Sequence, residues 1–419
     1  MKPVRIGIAV LVAFAVLAHG AVEPWSQAIL ETGAGILLVM WAVGTAMQRE
    51  IELRWNTLLM PVAGLVVLAV LQLVTGMSAY RYATRAEVLR LAADLILLFV
   101  AVQAFRTPKE WKALAWVLIG LAFAVSVFGI VQYFTFNGRL YWVRELRHGG
   151  TPFGPFVNRD DFAGFLELIL PLGLALLVLD GERRERRLLV ALFVVFPAAA
   201  LVLCASRAGI VSFVFQLVFL GILVWLYGRR SQRWLLVGMA VVMAAVAGWL
   251  GVGYTIYRFE QPGSNELTLA GRLAMARDTW RIFLHHPLTG TGLGTFETVY
   301  PRYEASYTGY TLTHAHNDYV ELLAEGGVVG GGLGLAYLVI LFRRGIRNLQ
   351  RAMTPVSRSL YAGALVACAG LLGHELVDFN LHIPSNLVIF LLISSLATTV
   401  IPEPIPNPRH RPRPGHLGP

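Results

Sequence analysis

Charged residues are scarce in this sequence. Only 14% of its 419 residues are Asp, Glu, Lys or Arg, whereas 56% are hydrophobic. A soluble domain typically carries about 25% charged residues, so the composition excludes an ordinary soluble domain. Apolar runs close to the ~20 residues that a helix needs to cross a bilayer recur along the chain. Because lipid offers the backbone no hydrogen-bond partner and no β-barrel alternation is visible, we predict an all-α, polytopic integral membrane protein.

The apolar runs predict twelve transmembrane helices. They cover about 5–22, 26–46, 57–75, 88–105, 113–134, 162–179, 188–205, 208–227, 234–253, 319–342, 359–378 and 385–401. The first run is similar to a signal peptide, but "VLAHGAVEPW" offers no clean cleavage site, so we count it as a span. The densest basic loops, such as "GERRERR" and "RRGIRNLQR", then share one side with both termini. The positive-inside rule places that side in the cytoplasm.

Cysteine is also rare. Cys204 and Cys368 both fall inside predicted spans, which excludes a disulfide framework and a cysteine-based metal site. No repeat and no second soluble domain is visible. We therefore predict one transmembrane domain at 1–401, with outer elements at about 135–161 and 254–318. Residues 402–419 are Pro-rich and are expected to form a disordered cytoplasmic tail.

Lysine is the third scarcity. Lys2, Lys109 and Lys112 lie in predicted inner loops, whereas every basic residue on the outer side is arginine. Arginine suits bidentate binding of phosphate, although outer arginines can also anchor to lipid headgroups. The net charge of +10 fits inner loops facing anionic lipid, and we predict no nucleic-acid partner.

The long outer segment contains an amphipathic helical pattern in "LAGRLAMARDTWRIFLHHP". Its apolar stripe consists of Leu269, Leu273, Ala276, Trp280, Phe283 and Leu284. Arg277, Asp278 and Arg281 are expected to point away from the stripe. Such a helix would lie in the interface with the stripe toward lipid or toward the bundle. Arg272 falls at the border of the stripe, where a guanidinium can reach a lipid-linked phosphate or a headgroup.

The same segment continues into "HPLTGTGLGTF", whose spaced glycines are similar to a nucleotide-binding loop. No strand precedes the glycines and no GK[ST] sequence follows them, so we reject that interpretation. A turn built from small residues is the better prediction. We expect no nucleotide partner.

The stretch "TLTHAHNDYVELLAEGG", 311–327, gathers histidines and acids just before a predicted span. Thr313 or Asn317 can cap the helix that follows, which places His316 at its outer end. An imidazole with an ordinary pKa of about 6.5 accepts a proton near neutral pH, so His316 is the candidate general base. His314 is a second candidate, with a plain loop role as the alternative. The acids that follow, Glu321 among them, can also simply stabilise the helix N-terminus.

Further titratable residues lie near the last two spans. The stretch "HELVD", 374–378, lacks the second histidine of a zinc-protease HExxH motif, which argues against a metal. His374 and Asp378 stand one helical turn apart and are predicted to form a hydrogen-bonded pair. Asp378 and His382 either line the site or brace it, and the sequence leaves both possibilities open.

The stretch "CASRAG", 204–209, places one charge where two apolar runs meet at the outer face. A lone arginine at such depth is costly unless an anion or a cavity compensates it. We therefore predict a functional role for Arg207. Glu167, about one turn into the sixth span, is ambiguous between packing and function.

The order and sidedness of these motifs give the chain a family resemblance. The segments "GPFVNRDDFAGFLELILPL" (154–172), "SRAG" (206–209), "AGRLAMARDTWRIFLHHPLTGTGLGTF" (270–296) and "HNDYVELLAEGGVVG" (316–330) resemble the O-antigen ligase and polymerase superfamily of bacterial envelope glycosyltransferases. The resemblance implies glycan transfer on the periplasmic face, independent of metal and ATP. The donor would be a polysaccharide on undecaprenyl diphosphate, and the acceptor of a ligase would be lipid A–core.

The residues are suited to such chemistry. Positive groups aimed at a departing diphosphate lower the barrier, and a neutral histidine can take the proton of the acceptor hydroxyl. The predicted catalytic residues are His316, Arg207 and Arg272. The predicted substrate-binding residues are Arg159, Asn317, His314, Glu321, Asp378 and His382. We predict no metal and no cofactor, and a single displacement with inversion, because no carboxylate pair with glycosidase spacing stands out.

Several alternatives remain at this level. A polymerase of the same superfamily and a protein O-oligosaccharyltransferase differ from a ligase only in the acceptor, on which the sequence says little. A transporter of lipid-linked glycan also suits twelve spans. However, the polar groups gather at one face and not at the bilayer midplane, where transporters bind substrate.

Overall fold

The computed structural model describes residues 1–48, 52–146, 152–180, 184–249, 269–305 and 312–402. In these ranges the chain is helical and contains only isolated β-bridges, so the all-α prediction is confirmed. The helices are α1 Lys2–Leu17, α2 Pro24–Gln48, α3 Leu59–Val74, α4 Arg81–Ala104, α5 Pro108–Phe134, α6 Arg159–Leu179, α7 Arg184–Leu203, α8 Arg207–Tyr227, α9 Arg230–Trp249, α10 Leu269–His285, α11 Phe296–Val299, α12 Asp318–Arg351, α13 Pro355–His374 and α14 Pro384–Thr398. Short 3-10 turns occupy His19–Ala21, Tyr300–Arg302 and Asn380–His382.

The helices follow the predicted spans. Each span coincides with one helix, while α10 and α11 lie in the predicted outer loop. In the described ranges, α2, α5, α6, α8, α12 and α13 are long and apolar enough to cross a membrane, and the protein is a polytopic membrane protein. Residues 403–419 of the predicted tail lie outside the described residues, as do parts of both outer segments.

Helix α6 forms the centre of the bundle. All but one of its residues are buried, Asp160 being the exception, and it packs against α5, α7, α8, α13 and α14. Asn158 caps the helix, because its side chain accepts the N–H of Asp160 at 3.1 Å. Gly363 lets α13 approach closely, since a Cβ there would lie 2.9 Å from the Cα of Leu172. The start of α6 and the end of α13 therefore meet at the same edge of the bundle.

Helix α10 confirms the amphipathic helix predicted in the outer segment. Leu273, Trp280 and Leu284 of the stripe are 63%, 43% and 57% exposed, so the stripe faces away from the bundle. The opposite face packs inward, where Met275 and Ile282 join a small core. Of the two predicted orientations, these exposures contradict the one in which the stripe packs against the bundle.

Asp278 also points away from the stripe, but into the protein. It is 5% exposed, and its carboxylate accepts the N–H of Ala305 at 3.0 Å. The other carboxylate oxygen lies 3.3 Å from Nη1 of Arg281. These contacts compensate the cost of burying a charge and attach α10 to the segment that follows it.

Helix α12 is interrupted at Gly327, whose φ of 61° and ψ of −160° are not helical. A Cβ at this position would lie 2.3 Å from the carbonyl carbon of Leu288. The N–H of Val328 donates to the carbonyl of Pro287 at 2.8 Å. Glycine is therefore required where the loop after α10 inserts against the break.

The loop 287–296 is held by an internal carboxylate. Glu325, 5% exposed, accepts the N–H groups of Gly294 at 2.8 Å and Phe296 at 2.6 Å. From α3, Gln72 donates to the carbonyl of Thr289 at 2.6 Å. In a nucleotide loop such N–H groups would bind phosphate, whereas here Glu325 takes them and fixes the loop after α10 to α12.

Replacing Glu325 tests this attachment. We expect Glu325→Ala to lower the free energy of unfolding by about 2–3 kcal/mol, because the buried N–H of Phe296 and the part-buried N–H of Gly294 lose their acceptor. The thermal unfolding midpoint in detergent measures the effect. Glu297→Ala removes an exposed acid of the same segment and should change the midpoint little. Equal midpoints for both variants would contradict the role of Glu325.

Candidate active site

His316 is held in a strained backbone conformation just before α12. Its φ is 49°, in the left-handed region that disfavours residues with a side chain. Asn317 caps α12 by accepting the N–H of Val320 at 3.0 Å, and its amide donates to the carbonyl of Leu376 at 2.9 Å. Of the two predicted caps, the structure thus selects Asn317. The cap and the contact to the end of α13 fix the direction of the His316 side chain.

Asp378 orients the His316 ring. Nδ1 of His316 lies 3.3 Å from Oδ1 of Asp378, and the N–H of Phe379 donates to the same oxygen at 3.0 Å. An ionised carboxylate only accepts, so a neutral His316 carries its hydrogen on Nδ1. Nε2 is then left as the acceptor, which is the arrangement that a general base needs.

The electrostatics keep Asp378 ionised. Its side chain is 1% exposed, and burial raises the pKa of the carboxyl. Hydrogen bonds from His316 and His374 and the charge of Arg272 outweigh this effect and hold the pKa well below its usual range. Asp378 follows α13, which ends at His374, so the predicted span 359–378 is too long at this end.

Arg272 of α10 shares Asp378 with His316. Its guanidinium donates to the carbonyl of Val377 and lies 3.8 Å from Oδ2 of Asp378. Its Nη2 lies 3.6 Å from Asp160 at the start of α6. The Arg272 and His316 side chains remain 19% and 17% exposed. The structure therefore brings a guanidinium and an imidazole together on one carboxylate, where both side chains remain partly exposed.

A second group of side chains lies beside His316 and consists of His314, Asp318, Glu321 and His382; we call it the histidine cluster. Nδ1 of His314 lies 2.9 Å from Oε1 of Glu321, and Nε2 of His382 lies 3.3 Å from the same oxygen. Nδ1 of His382 lies 2.9 Å from Asp318. The other oxygen of Glu321 accepts the N–H of Ala315 at 2.6 Å. The cluster thus braces the chain that leads into His316.

The charge state of the histidine cluster follows from these contacts. Burial lowers the pKa of His382, but the carboxylates of Glu321 and Asp318 more than compensate and raise it to about 9. His382 is therefore an imidazolium at neutral pH. Of the two roles left open for it by the sequence, its contacts support bracing.

The ligand atoms of His314, Glu321 and His382 lie within 4.8 Å of one another, a spacing that a metal ion could bridge. His314 instead has Glu321 as a hydrogen-bond partner, and His382 forms an ion pair with the same carboxylate. Their ring centroids are 4.2 Å apart, and the ring planes are tilted by 38°. We keep the metal-free site as a prediction, to be tested with a chelator.

Arg159 and Arg207 are the first residues of α6 and α8, and the starts of these two helices pack against each other. Arg159 opens α6 beside Asp160, which contacts Arg272. Arg207 opens α8, which Ser206 caps by accepting the N–H of Gly209 at 3.1 Å. A Cβ on Gly209 would lie 2.6 Å from Ala163, so the start of α8 packs against the start of α6.

The sequence analysis did not identify two buried residues that lie next to Asp378 on the side away from His316, namely His374 and its partner Glu167. His374 and Glu167 are not among the predicted site residues, yet Nδ1 of His374 lies 2.9 Å from Glu167, and Nε2 lies 3.5 Å from Asp378. The spacing of His374 and Asp378 did predict their contact. Glu167 lies 207 positions from its partner, and no local pattern connects two positions so far apart.

The pKa of His382 makes a prediction about stability. Because the pKa of about 9 exceeds the ordinary 6.5, His382 contributes up to about 3 kcal/mol that is present below pH 6.5 and is lost as the pH rises through 9. We expect the difference in unfolding midpoint between the wild type and His382→Gln to be largest near pH 6 and to vanish toward pH 10. A difference that stays constant over this range would contradict a protonated His382.

Comparison with known protein families agrees with this arrangement. Residues 190–335 match a family model described as O-antigen ligase. The match begins in α7, ends in α12 and includes Arg207, Arg272 and His316, whereas Asp378 and Arg159 lie outside it. No curated protein matches the chain. The resemblance seen in the motifs is therefore confirmed over this part of the chain, which is similar to the O-antigen ligase superfamily.

Proposed function

We propose that the protein is an O-antigen ligase of lipopolysaccharide biosynthesis. It transfers a polysaccharide from undecaprenyl diphosphate to lipid A–core, without metal or nucleotide, on the periplasmic face of the inner membrane. The family supports a glycosyltransferase-like enzyme. The observation that carries the proposal is the sharing of Asp378 by Arg272 and His316. One accessible place thereby combines a charge for a leaving diphosphate with a base for an incoming hydroxyl.

The chemistry is a single displacement at the anomeric carbon. The acceptor oxygen forms the new bond to that carbon as the bond to the diphosphate oxygen breaks, and the electron pair leaves with the diphosphate. Arg272 stabilises the charge that develops there, and we expect Arg159 and Arg207, the first residues of α6 and α8, to contribute. Nε2 of His316 takes the hydroxyl proton, and the Asp378 carboxylate stabilises the imidazolium that results.

Orientation in the membrane belongs to the same proposal. Both termini are expected in the cytoplasm, with the site facing the periplasm. The stretch around Arg272 also fits a lipid-borne donor. The apolar stripe of α10 is exposed and points away from the bundle, so we expect it to lie among lipid tails. Arg272, at the border of this stripe, contacts Asp378 together with His316.

A reconstituted assay separates the alternatives. Purified protein is supplied with lipid-linked glycan, lipid A–core and a pilin-type protein, with EDTA and without nucleotide. Glycan attached to the core supports the ligase. Longer lipid-linked chains indicate a polymerase, and glycosylated protein indicates an oligosaccharyltransferase. The absence of any covalent product would contradict a transferase and favour a transporter, and loss of product only with EDTA would contradict the metal-free site.

His316→Ala tests the general base. We expect transfer to fall by a factor of about 10²–10⁴, because the variant loses the proposed general base. Membrane insertion should be unaffected, as measured by the yield of monodisperse protein. His285→Ala, an exposed histidine of α10, is the matched control and should retain activity. Undiminished transfer by His316→Ala would remove His316 from the mechanism.

Arg272→Lys tests the geometry of the positive group. Lysine keeps the charge but cannot contact Val377, Asp160 and Asp378 at once with a planar fork. We expect kcat to fall by about 100-fold, in line with the loss of one stabilising donor. Single-turnover kinetics with saturating donor measure the effect. Wild-type kcat in this variant would show that charge alone is sufficient.

A further inference from the structure

His374 lies buried between two carboxylates. It is the last residue of α13, and its side chain is fully buried. Nδ1 lies 2.9 Å from Oε1 of Glu167, and Nε2 lies 3.5 Å from Oδ2 of Asp378. Both carboxylates are also buried, with side chains 0% and 1% exposed.

The proton count on His374 follows from this geometry. A neutral imidazole donates through one nitrogen only, which would leave one buried carboxylate without a donor from the ring. An unpaired buried charge is expensive, whereas an imidazolium donates to Glu167 and places its positive charge 3.5 Å from Oδ2 of Asp378. The arrangement thus favours His374 as a cation between two anions.

Glu167 ties this cation to the rest of the site. Its second carboxylate oxygen accepts the hydroxyl of Ser212 in α8 at 2.5 Å, and its backbone carbonyl accepts the amide of Gln216 at 2.9 Å. Glu167 therefore joins α6, α8 and α13. Helix α8 begins at Arg207, so the same contacts fix the first turns of α8 against α6 and α13.

We propose that Glu167 and His374 are positioning residues of the transfer reaction: their buried ion pair holds Asp378 against His316 and Arg272. The proposal rests on the proposed transferase function. Neither side chain touches substrate, and both act through Asp378. If the imidazolium is removed, Asp378 keeps Arg272 and the N–H of Phe379, but one positive charge beside His316 is lost.

The charged groups near this pair come from several elements. His316, His374 and Arg272 act on Asp378. Asp161 of α6 and Glu375, which follows α13, also lie within electrostatic reach of both His374 and Asp378. Because these two are acids, they do not replace the positive charge of His374. The loss of that charge should therefore favour the protonated form of His316.

The test is the pH profile of kcat/KM, whose acid limb reports protonation of the base in the free enzyme. We expect the acid limb of His374→Gln to move to higher pH by about one unit, the effect of one charge in partly buried surroundings. Its kcat should fall about 100-fold through misplacement of His316, with KM for the donor unchanged. In the double variant Glu167→Gln/His374→Gln the local charge again balances, and the acid limb should return to the wild-type position while kcat stays low.

Asp180→Asn is the matched control. Asp180 is a buried carboxylate at the opposite end of α6, paired with Lys112 at 2.5 Å, and its removal should leave the pH profile unchanged. A loss of activity by His374→Gln with an unmoved acid limb would mean a merely structural role and overturn the proposal. Wild-type kinetics in His374→Gln would overturn it as well.

Two further outcomes are distinguishable. If His374→Gln yields no monodisperse protein, Glu167→Gln, which keeps size and one acceptor oxygen, must lower kcat at least about 10-fold at unchanged KM. Unchanged kcat in that variant overturns the proposal. If the wild type itself forms no glycan product, the proposed function fails and this inference fails with it. If the wild type forms product but the acid limb of the kcat/KM profile does not move in His374→Gln, this inference is wrong while the proposed function stands.

Discussion

The site depends on one buried carboxylate with several partners. Asp378 faces His316 at 3.3 Å, His374 at 3.5 Å and Arg272 at 3.8 Å. These groups come from the turn before α12, the end of α13 and the outer helix α10. An isolated anion at 1% exposure would be costly. Surrounded by donors and positive charge, it instead determines where the imidazole and the guanidinium point.

Backbone strain gathers at the same edge of the bundle. Among the described residues, those with left-handed φ that are not glycine are His19, Ala21, Tyr141, Trp142, Ala205 and His316. All lie on the predicted outer side, and Ala205 and His316 each come two residues before a helix of the site. Each such residue costs on the order of 1 kcal/mol and persists only where its surroundings hold it. For His316 those surroundings are Glu321 behind it and the Asn317 cap ahead of it.

The sequence predicted much of this architecture because membrane helices depend on composition. Twelve apolar runs gave twelve helices, and the period of "LAGRLAMARDTWRIFLHHP" gave α10. His316 was predicted from the stretch 311–327 and the family resemblance, and Arg272 from the border of the apolar stripe; both lie beside Asp378. The Gly327 break was not predicted, since only its contact with the loop at Leu288 requires it. Glu167 and His374 were missed for the same reason: their partner lies on another helix, and burial conceals their role from any local pattern.

The most direct measurement is a structure of the protein with an undecaprenyl diphosphate analogue, by cryo-electron microscopy in lipid nanodiscs. The account predicts diphosphate density within hydrogen-bond distance of the Arg272 guanidinium, with the anomeric end of the analogue facing Nε2 of His316. Diphosphate bound away from Arg272, or a His316 ring turned from Asp378 in the complex, would contradict it.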